Sequence, residues 1–186
     1  ESGRPIWGTC AGMILLSDHA IKQKGGGQAL VGGLDVKICR NYFGAQLDSM
    51  EVNIPAPLLP TVPSQAADAK KDKPYKAIFI RAPAILSIGP KVQSIASIHA
   101  KPHHNARAEV EAVYRESEGE ASVKRRKKSS SSVSESRKST ATSDETFEVH
   151  VAVRQGNILA TAFHPELTDD LRWMQGFIRI VEEAKR

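Results

Sequence analysis

The chain has 186 residues, 40% of them hydrophobic, a length that suits one domain with a sizeable core, and no apolar run approaches the roughly 20 residues of a membrane-spanning helix. Its formal net charge of +5 comes from one segment between Lys124 and Lys138 that holds seven basic residues and one acidic residue, so a basic face for nucleic acid is not indicated. The two cysteines, Cys10 and Cys39, form no disulfide framework, and because the N-terminus has no signal-peptide pattern we expect a cytoplasmic protein in a reducing compartment.

A strand, a tight turn and a helix are predicted at the start of the chain. Pro5–Trp7 is typical of a short buried strand and Ala11–Ile21 of a buried helix, with Gly-Thr-Cys-Ala-Gly at 8–12 between them. The pattern G-x-C-x-G is typical of a nucleophile elbow, in which the flanking glycines allow a sharp turn and the central side chain is exposed. Cys10 would then lie at a helix N-terminus, which favours the thiolate, and the N–H of Ala11 would face a developing oxyanion.

Further elements alternate with loops along the chain. The glycine-rich residues 22–33 indicate a loop, and no Walker pattern accompanies the glycines. Alternating or continuous apolar residues predict strands at Leu34–Cys39, 48–54, Lys76–Ile80, Val92–His99, Phe147–Val153 and Ile158–Phe163. A hairpin turn at 154–157 joins the last two strands. Thr168 is the predicted N-cap of a final helix, whose apolar stripe we expect to face the core: Leu171, Met174, Phe177, Ile178 and Val181.

Two segments are predicted to lie outside the core of a single domain that comprises residues 1–186. The proline-rich residues 55–75 indicate an exposed loop, and the Ser-, Lys- and Arg-rich residues from about 116 to 146 indicate a disordered insertion. The adjacent histidines His103 and His104 are interpreted as part of an exposed loop. No spacing of cysteines, histidines or carboxylates predicts a metal site.

A second motif supplies the groups that would activate a thiol. His164-Pro165-Glu166 follows the last predicted strand, so that an imidazole stands at the strand end with a carboxylate two residues later. A cysteine nucleophile, a histidine base and an acid that orients the imidazole form a Cys-His-Glu triad. We therefore predict that Cys10, His164 and Glu166 are the catalytic residues.

On these motifs the chain resembles the PdxT/SNO family of class I glutamine amidotransferases, the glutaminase subunits of pyridoxal 5′-phosphate synthase. Gly-Thr-Cys-Ala-Gly and His-Pro-Glu mark class I amidotransferases broadly, and Arg-Asn-Tyr-Phe-Gly at 40–44 with Ile-Arg-Ala-Pro at 80–83 narrows the resemblance to this family. The two polar insertions are similar to those of fungal members. The resemblance implies an α/β fold, a three-layer doubly wound sandwich with the site at the carboxyl ends of the strands.

The resemblance also implies a role for each site residue. Cys10 would attack the side-chain amide of L-glutamine, His164 would transfer the proton, and Glu166 would hold the imidazole. Arg40 corresponds to the family's glutamine-binding arginine, and Ile80 and Arg81 to its second glutamine-binding segment. Ammonia would pass to a (β/α)₈-barrel synthase partner that makes pyridoxal 5′-phosphate, and no cofactor is expected on this subunit.

The start of the chain departs from the family pattern. Family members begin with an α/β stretch that carries a Pro-Gly-Gly-Glu-Ser segment, which supplies an oxyanion donor and part of the glutamine site. No such segment precedes the predicted elbow, so we expect a fold that is incomplete at its N-terminus. Two alternatives therefore stand beside the glutaminase hypothesis: another class I amidotransferase or γ-glutamyl hydrolase with the same triad, and a truncated paralogue that binds a partner without hydrolysis.

Overall fold

The computed structural model describes residues 3–21, 26–44, 50–55, 73–126 and 145–186, with side chains described as far as residue 117 in the fourth range. These residues form a seven-stranded sheet, a separate two-stranded sheet and three α-helices. The strands are β1 (Ile6–Thr9), β2 (Ser17–Ile21), β3 (Leu34–Cys39), β4 (Met50–Ile54), β5 (Tyr75–Phe79), β6 (Ala84–Ile88), β7 (Gln93–Ala100), β8 (Phe147–Gln155) and β9 (Ile158–Thr161). The helices are α1 (Ala11–Leu16), α2 (His104–Arg126) and α3 (Arg172–Glu183), and a 3₁₀ helix spans Pro165–Leu167.

The larger sheet is mixed. Its strands run in the order β1–β9–β8–β6–β3–β2, and β7 also pairs with β8. The pairs β1–β9 and β2–β3 are parallel, and the other pairs are antiparallel. Strands β4 and β5 form the smaller antiparallel sheet. In the part of the chain that the structure describes, no helix combines the length and apolar character needed to cross a membrane.

A hydrophobic core lies on each face of the larger sheet. In β6, Ile85 belongs to the core that includes residues of α1 and α3, whereas Ala84 and Leu86 belong to the core that includes residues of α2. Successive residues of a strand point to opposite faces, so the helices lie on both sides of the sheet. The predicted α/β class with helical layers around a central sheet is thus confirmed.

Helix α1 ends at Leu16 and not at Ile21, where its end was predicted. The backbone N–H and the hydroxyl of Ser17 both donate to the carbonyl of Ile14, the hydroxyl at 2.7 Å, and so satisfy a carbonyl that the helix end leaves free. Residues Ser17–Ile21, which were expected to continue the helix, instead form β2 against β3. Long-range strand pairing overrides the local helical pattern here.

Helix α2 was not predicted, and its backbone continues through Arg126 into the segment expected to be disordered from about residue 116. Among the side chains described in this helix, the fully buried ones are two small residues one turn apart, Ala106 and Val110, so its apolar signal is weak in a charged sequence. Residues 127–144 of the predicted insertion lie outside the described residues.

The predicted strands are present with bounds that shift by one or two residues. Strand β3 has its predicted bounds, whereas β9 ends at Thr161 rather than Phe163. The hairpin between β8 and β9 turns at Gly156, whose φ of 56° lies in the left-handed region that favours glycine. Strand β6 was not predicted. Tyr75, assigned to an exposed loop, begins β5 and is fully buried, and residues 56–72 of that loop lie outside the described residues.

The final helix begins at Arg172, four residues after the predicted N-cap. Thr168 instead follows the 3₁₀ helix, where its hydroxyl donates to the carbonyl of Pro165 at 3.2 Å. The N–H of Arg172 is bonded by the carboxylate of Asp170 at 3.2 Å. The predicted threonine cap is therefore wrong: Leu171 is the N-cap, and Asp170 before it bonds the first N–H of the helix.

The predicted apolar stripe of this helix is wrong in part. Leu171 and Ile178 are exposed, Phe177 is partly buried against the core as predicted, and the buried residues are Arg172, Trp173, Gly176 and Ile180. The ring of Trp173 packs edge-on against those of Tyr75 and Phe163, at 6.0 and 5.1 Å between centroids. Burial of this large ring among aromatic residues sets which side of α3 faces the core.

Candidate active site

Cys10 stands at the turn where β1 enters α1. Its N–H donates to the carbonyl of Thr161 at 2.8 Å, and its carbonyl accepts the N–H of Ile14 at 3.3 Å. Its backbone has φ 47° and ψ −104°, a conformation that costs a residue with a side chain about 1–3 kcal/mol. The side chain of Cys10 is consequently held on a strained turn and is only partly buried.

The two glycines of the elbow differ in what they do. A Cβ atom at Gly8 would lie 2.7 Å from the backbone of Gly12 and from Cδ1 of Leu16, whereas a Cβ atom at Gly12 would meet nothing within 4 Å. Helix α1 therefore packs against the backbone of β1 at a distance that only glycine permits at position 8. The expectation that both flanking glycines serve the turn holds for Gly8 alone among the described contacts.

The surroundings of the Cys10 thiol shift its pKa in opposite directions. Its S–H donates to the carbonyl of Ile80 at 3.8 Å. Burial, the largest influence, raises the pKa of the thiol, the N–H of Ala11 and the charge of Arg81 lower it, and Glu166 raises it, so the net pKa is above its ordinary value. The expected thiolate is therefore not favoured, because burial outweighs the hydrogen bond from the N–H of Ala11 and the charge of Arg81. The thiol needs a base.

His164 and Glu166 are joined on one tight turn. His164 follows β9 through Phe163, its N–H donates to the carbonyl of Ile78 at 2.9 Å, and the 3₁₀ helix begins directly after it. Nδ1 of His164 lies 2.7 Å from Oε1 of Glu166. A proton on Nδ1 leaves Nε2 with a free lone pair, so this arrangement favours the tautomer that can act as a base.

Ile80 and Arg81 lie beside Cys10, at the end of β5. The carbonyl of Ile80 accepts the thiol, and Arg81 is close enough for its charge to lower the pKa of Cys10. Arg81 has φ 46°, so a second residue with positive φ lies beside Cys10. Because Ile78 binds the His164 backbone and Ile80 binds the thiol, the end of β5 contacts both halves of the triad.

Arg40 directly follows β3. In the order of the larger sheet, β9, β8 and β6 lie between β3 and β1, the strand that leads into Cys10. The guanidinium of Arg40 donates to Oε1 of Gln28 at 2.6 Å, in the glycine-rich loop. Its contact with glutamine remains a prediction, as does that of Ile80 and Arg81.

Two buried polar residues were not identified from the sequence, and one of them, Thr161, contacts Cys10. Thr161 accepts the backbone N–H of Cys10, and its one sequence signal is a polar residue inside an apolar strand. Arg172 is buried, lies over the ring of Tyr75, and donates to the carbonyl of Lys73 at 2.6 Å and to the carboxylate of Asp170 at 2.7 Å. Arg172 thereby joins the start of β5 to the segment that follows the 3₁₀ helix.

The histidine pair lies where the chain enters α2. The N–H of His103 donates to the carbonyl of Tyr42 at 2.7 Å, His104 begins α2, and the two imidazole rings lie 4.0 Å apart. In the described ranges, no group of three or more Cys, His, Asp or Glu side chains could hold a metal ion.

Comparison with known proteins bears on the identity of this site. The chain is 41% identical along its whole length to a probable pyridoxal 5′-phosphate synthase subunit PDX2 of Arabidopsis thaliana, and covers 61% of it. It is 39% identical to a probable subunit pdx2 of Dictyostelium discoideum, over 97% of the chain and 57% of the relative. It is 33% identical along its whole length to the subunit PdxT of Clavibacter michiganensis, and covers 61% of it. The chain thus spans about three-fifths of the length of these relatives.

A solved structure and a family model also match this chain. A crystal structure of a glutamine amidotransferase aligns with 96% of the chain and 61% of its own length, with a TM-score of 0.56 and 24% identity, which supports the fold. The model of the SNO glutamine amidotransferase family matches residues 1–113, a stretch that includes Cys10, Arg40 and Arg81. This chain belongs to the SNO glutamine amidotransferase family.

Proposed function

We propose that the chain is the glutaminase part of a pyridoxal 5′-phosphate synthase, which hydrolyses L-glutamine to glutamate and ammonia. The observation that carries this proposal is the pairing of His164 with Glu166 at 2.7 Å on a turn bonded to Ile78 of β5, while Ile80, directly after β5, accepts the thiol of a cysteine held on a strained elbow. These are the groups that acyl transfer through a thioester requires. The names of the relatives, which are subunits of pyridoxal 5′-phosphate synthase, support the choice of pathway.

The reaction begins with a protonated thiol. Nε2 of His164 takes the thiol proton as the sulfur of Cys10 attacks the carbonyl carbon of the side-chain amide. The negative charge on the carbonyl oxygen is stabilised by backbone donors, and we assign the N–H of Ala11 as one of them. The imidazolium then gives its proton to the departing nitrogen, so that ammonia leaves and a γ-glutamyl thioester remains on Cys10.

Hydrolysis of the thioester uses the same groups. Nε2 of His164 accepts a proton from water, and the resulting hydroxide adds to the thioester carbon. Glutamate leaves when the carbon–sulfur bond breaks, and the imidazolium returns its proton to the sulfur of Cys10. Glu166 stabilises the imidazolium in both halves of the cycle.

Substrate recognition follows from the charges near the thiol. Arg81 lies close enough to act on Cys10, and its guanidinium can grip the α-carboxylate of glutamine through two hydrogen bonds. We assign the same role to Arg40, which would turn from Gln28 toward the ligand. Backbone groups of Ile80 would complete the glutamine site.

The partner in this proposal is a (β/α)₈-barrel synthase subunit that receives the ammonia and builds pyridoxal 5′-phosphate. We place both subunits in the cytoplasm, where a reducing environment keeps the Cys10 thiol available. We also propose that the chain is a single amidotransferase domain with two polar insertions.

The test is ammonia release from L-glutamine by the chain mixed with a pyridoxal 5′-phosphate synthase barrel subunit. A diazoketone analogue of glutamine provides a second readout, because it alkylates a cysteine only when bound. We expect activity and labelling of Cys10, both lost in Cys10→Ala, whereas Cys39→Ala retains both because Cys39 is fully buried in β3. Labelling and ammonia release that both fail with the barrel subunit present, or persist in Cys10→Ala, would contradict the proposal.

A further inference from the structure

We propose that Thr161 is a positioning residue that holds the Cys10 elbow in place relative to the segment that carries His164. The inference rests on the glutaminase function proposed above and deepens it. Thr161 is the last residue of β9, is fully buried and precedes His164 by three residues. Its backbone and its side chain each contact a different part of the site.

The backbone of Thr161 holds the nucleophile. Its carbonyl accepts the N–H of Cys10 at 2.8 Å, which extends the parallel ladder in which Thr9 is opposite Thr161. Because Cys10 adopts a strained conformation, neighbouring contacts must keep it there. The bond from Thr161 is one such contact and fixes the elbow against the end of β9.

The hydroxyl of Thr161 links β1 to the residue before His164. Its Oγ1 accepts the indole N–H of Trp7 at 3.2 Å and donates to the carbonyl of Phe163 at 3.4 Å. A hydroxyl can do both because it has one proton and two acceptor lone pairs. Trp7 in turn packs on Phe177 of α3, with 5.4 Å between ring centroids. The indole that the hydroxyl binds is therefore held both by its own strand β1 and by α3.

Loss of the hydroxyl would loosen the Phe163–His164 turn without emptying the core. Valine keeps the branched shape of threonine but can bond neither Trp7 nor Phe163. The backbone bond from Thr161 to Cys10 would persist, and so would that from His164 to Ile78 at 2.9 Å. The expected consequence is a misplaced imidazole, and a displacement of about 1 Å in such a constellation costs on the order of 10²-fold in rate.

Two measurements test this role on the full chain. The first is the rate of Cys10 alkylation by iodoacetamide as a function of pH, with the modified residue identified by peptide mass spectrometry; this needs neither glutamine nor a partner. The second is kcat and KM for glutamine hydrolysis with the barrel subunit. The variants are Thr161→Val, Thr161→Ser and Trp7→Phe, with His164→Ala as the reference for an uncoupled thiol.

For Thr161→Val we expect an alkylation profile that moves toward that of His164→Ala, and a kcat lowered by about 10- to 100-fold with KM within about twofold. Thr161→Ser restores the hydroxyl and should return the wild-type profile. Trp7→Phe should shift the profile in the same direction by a smaller amount. A wild-type profile in Thr161→Val, or a serine variant as impaired as the valine variant, would overturn the proposal.

Other outcomes are also decisive. If thermal melting shows that Thr161→Val does not fold, the alkylation profiles of Trp7→Phe and Thr161→Ser test the proposal instead. A wild-type profile in Trp7→Phe would then contradict the proposed link from β1 through the Thr161 hydroxyl. If the wild-type protein and His164→Ala have the same profile, Cys10 is not coupled to His164. That result contradicts the proposed glutaminase function itself, and is distinct from a failure of Thr161 alone.

Discussion

Oε1 of Glu166 lies 2.7 Å from Nδ1 of His164, and the two residues are separated in the chain by Pro165 alone. The carboxylate thereby fixes the tautomer that exposes Nε2, and its charge stabilises the imidazolium that forms during the reaction. We expect Glu166→Gln to lower kcat by about 10²-fold or more, with a smaller effect on KM, in the ammonia-release assay with the barrel subunit.

A matched control for this variant is Glu51→Gln. The side chains of Glu51 and Glu166 are similarly exposed, at 52% and 48%, and Glu51 pairs with Lys76 on the two-stranded sheet at 2.5 Å. Its replacement should leave kcat within about twofold, because exposed ion pairs contribute little. Equal effects of the two variants would show that the loss reflects surface charge and not the pairing with His164.

Gly8 and Gly12 flank Cys10 symmetrically in the sequence but not in the structure. We expect Gly8→Ala to lower the free energy of unfolding by about 1–3 kcal/mol or to prevent folding, because its Cβ would press on the backbone of Gly12. Gly12→Ala should be neutral or stabilise by up to about 1 kcal/mol, since alanine is the better helix former and has room. Urea unfolding of both variants checks this, and equal destabilisation would contradict the packing described for Gly8.

The parts of the fold that local sequence could predict are those whose cause is local. Strand β3 alternates cleanly and has its predicted bounds, and the β8–β9 hairpin turns at Gly156 as a glycine with positive φ allows. Strand β2 was not predicted, because the helix indicated by the apolar residues Met13–Leu16 was extended over the more polar Ser17–Ile21, which forms a strand by pairing with β3. Helix α2 was missed because the buried residues described in it, Ala106 and Val110, are small and lie in a charged sequence.

The candidate site also has residues that the sequence could predict and others that it could not. Cys10, His164 and Glu166 are recognisable because short motifs place reactive groups at fixed spacings. Thr161 is not, because its contacts with Cys10 and Trp7 join residues that lie about 150 positions apart in the chain. The pKa of Cys10 likewise depends on burial, and the sequence favoured the thiolate because it indicated the helix N-terminus without the depth of the thiol.

The charge of Arg81 should tune the reactivity of Cys10. A positive charge stabilises the thiolate, so Arg81 lowers the pKa of a thiol that burial has raised. Arg81→Gln should raise the pKa of Cys10 further and slow its alkylation by iodoacetamide about two- to fivefold at a pH below that pKa. Arg81→Lys should retain most of the rate, and the difference between the variants should shrink at high salt.

The control for Arg81 is Arg154→Gln. Arg154 pairs with Glu183 at 2.9 Å and is opposite Leu159 in the β8–β9 ladder, away from the end of β9 that holds Thr161. Its removal changes the net charge of the chain by the same amount. Slowing of equal size in both variants would attribute the effect to net charge and contradict a local action of Arg81 on Cys10.

His150 should make the stability of the fold depend on pH. Nδ1 of His150 lies 2.8 Å from Oγ of Ser94, and burial lowers the pKa of its imidazole, with Glu148 acting in the opposite direction. The unfolded chain therefore binds a proton more readily than the folded one, and the free energy of unfolding should fall as the pH drops through the ordinary histidine pKa of about 6.5. Urea unfolding at pH 7.5 and 5.5 should show a smaller loss of stability in His150→Gln than in the wild-type protein. His99→Gln, at an exposed position of neighbouring β7, should change this loss less, so a larger change at His99 than at His150 would contradict the role of burial.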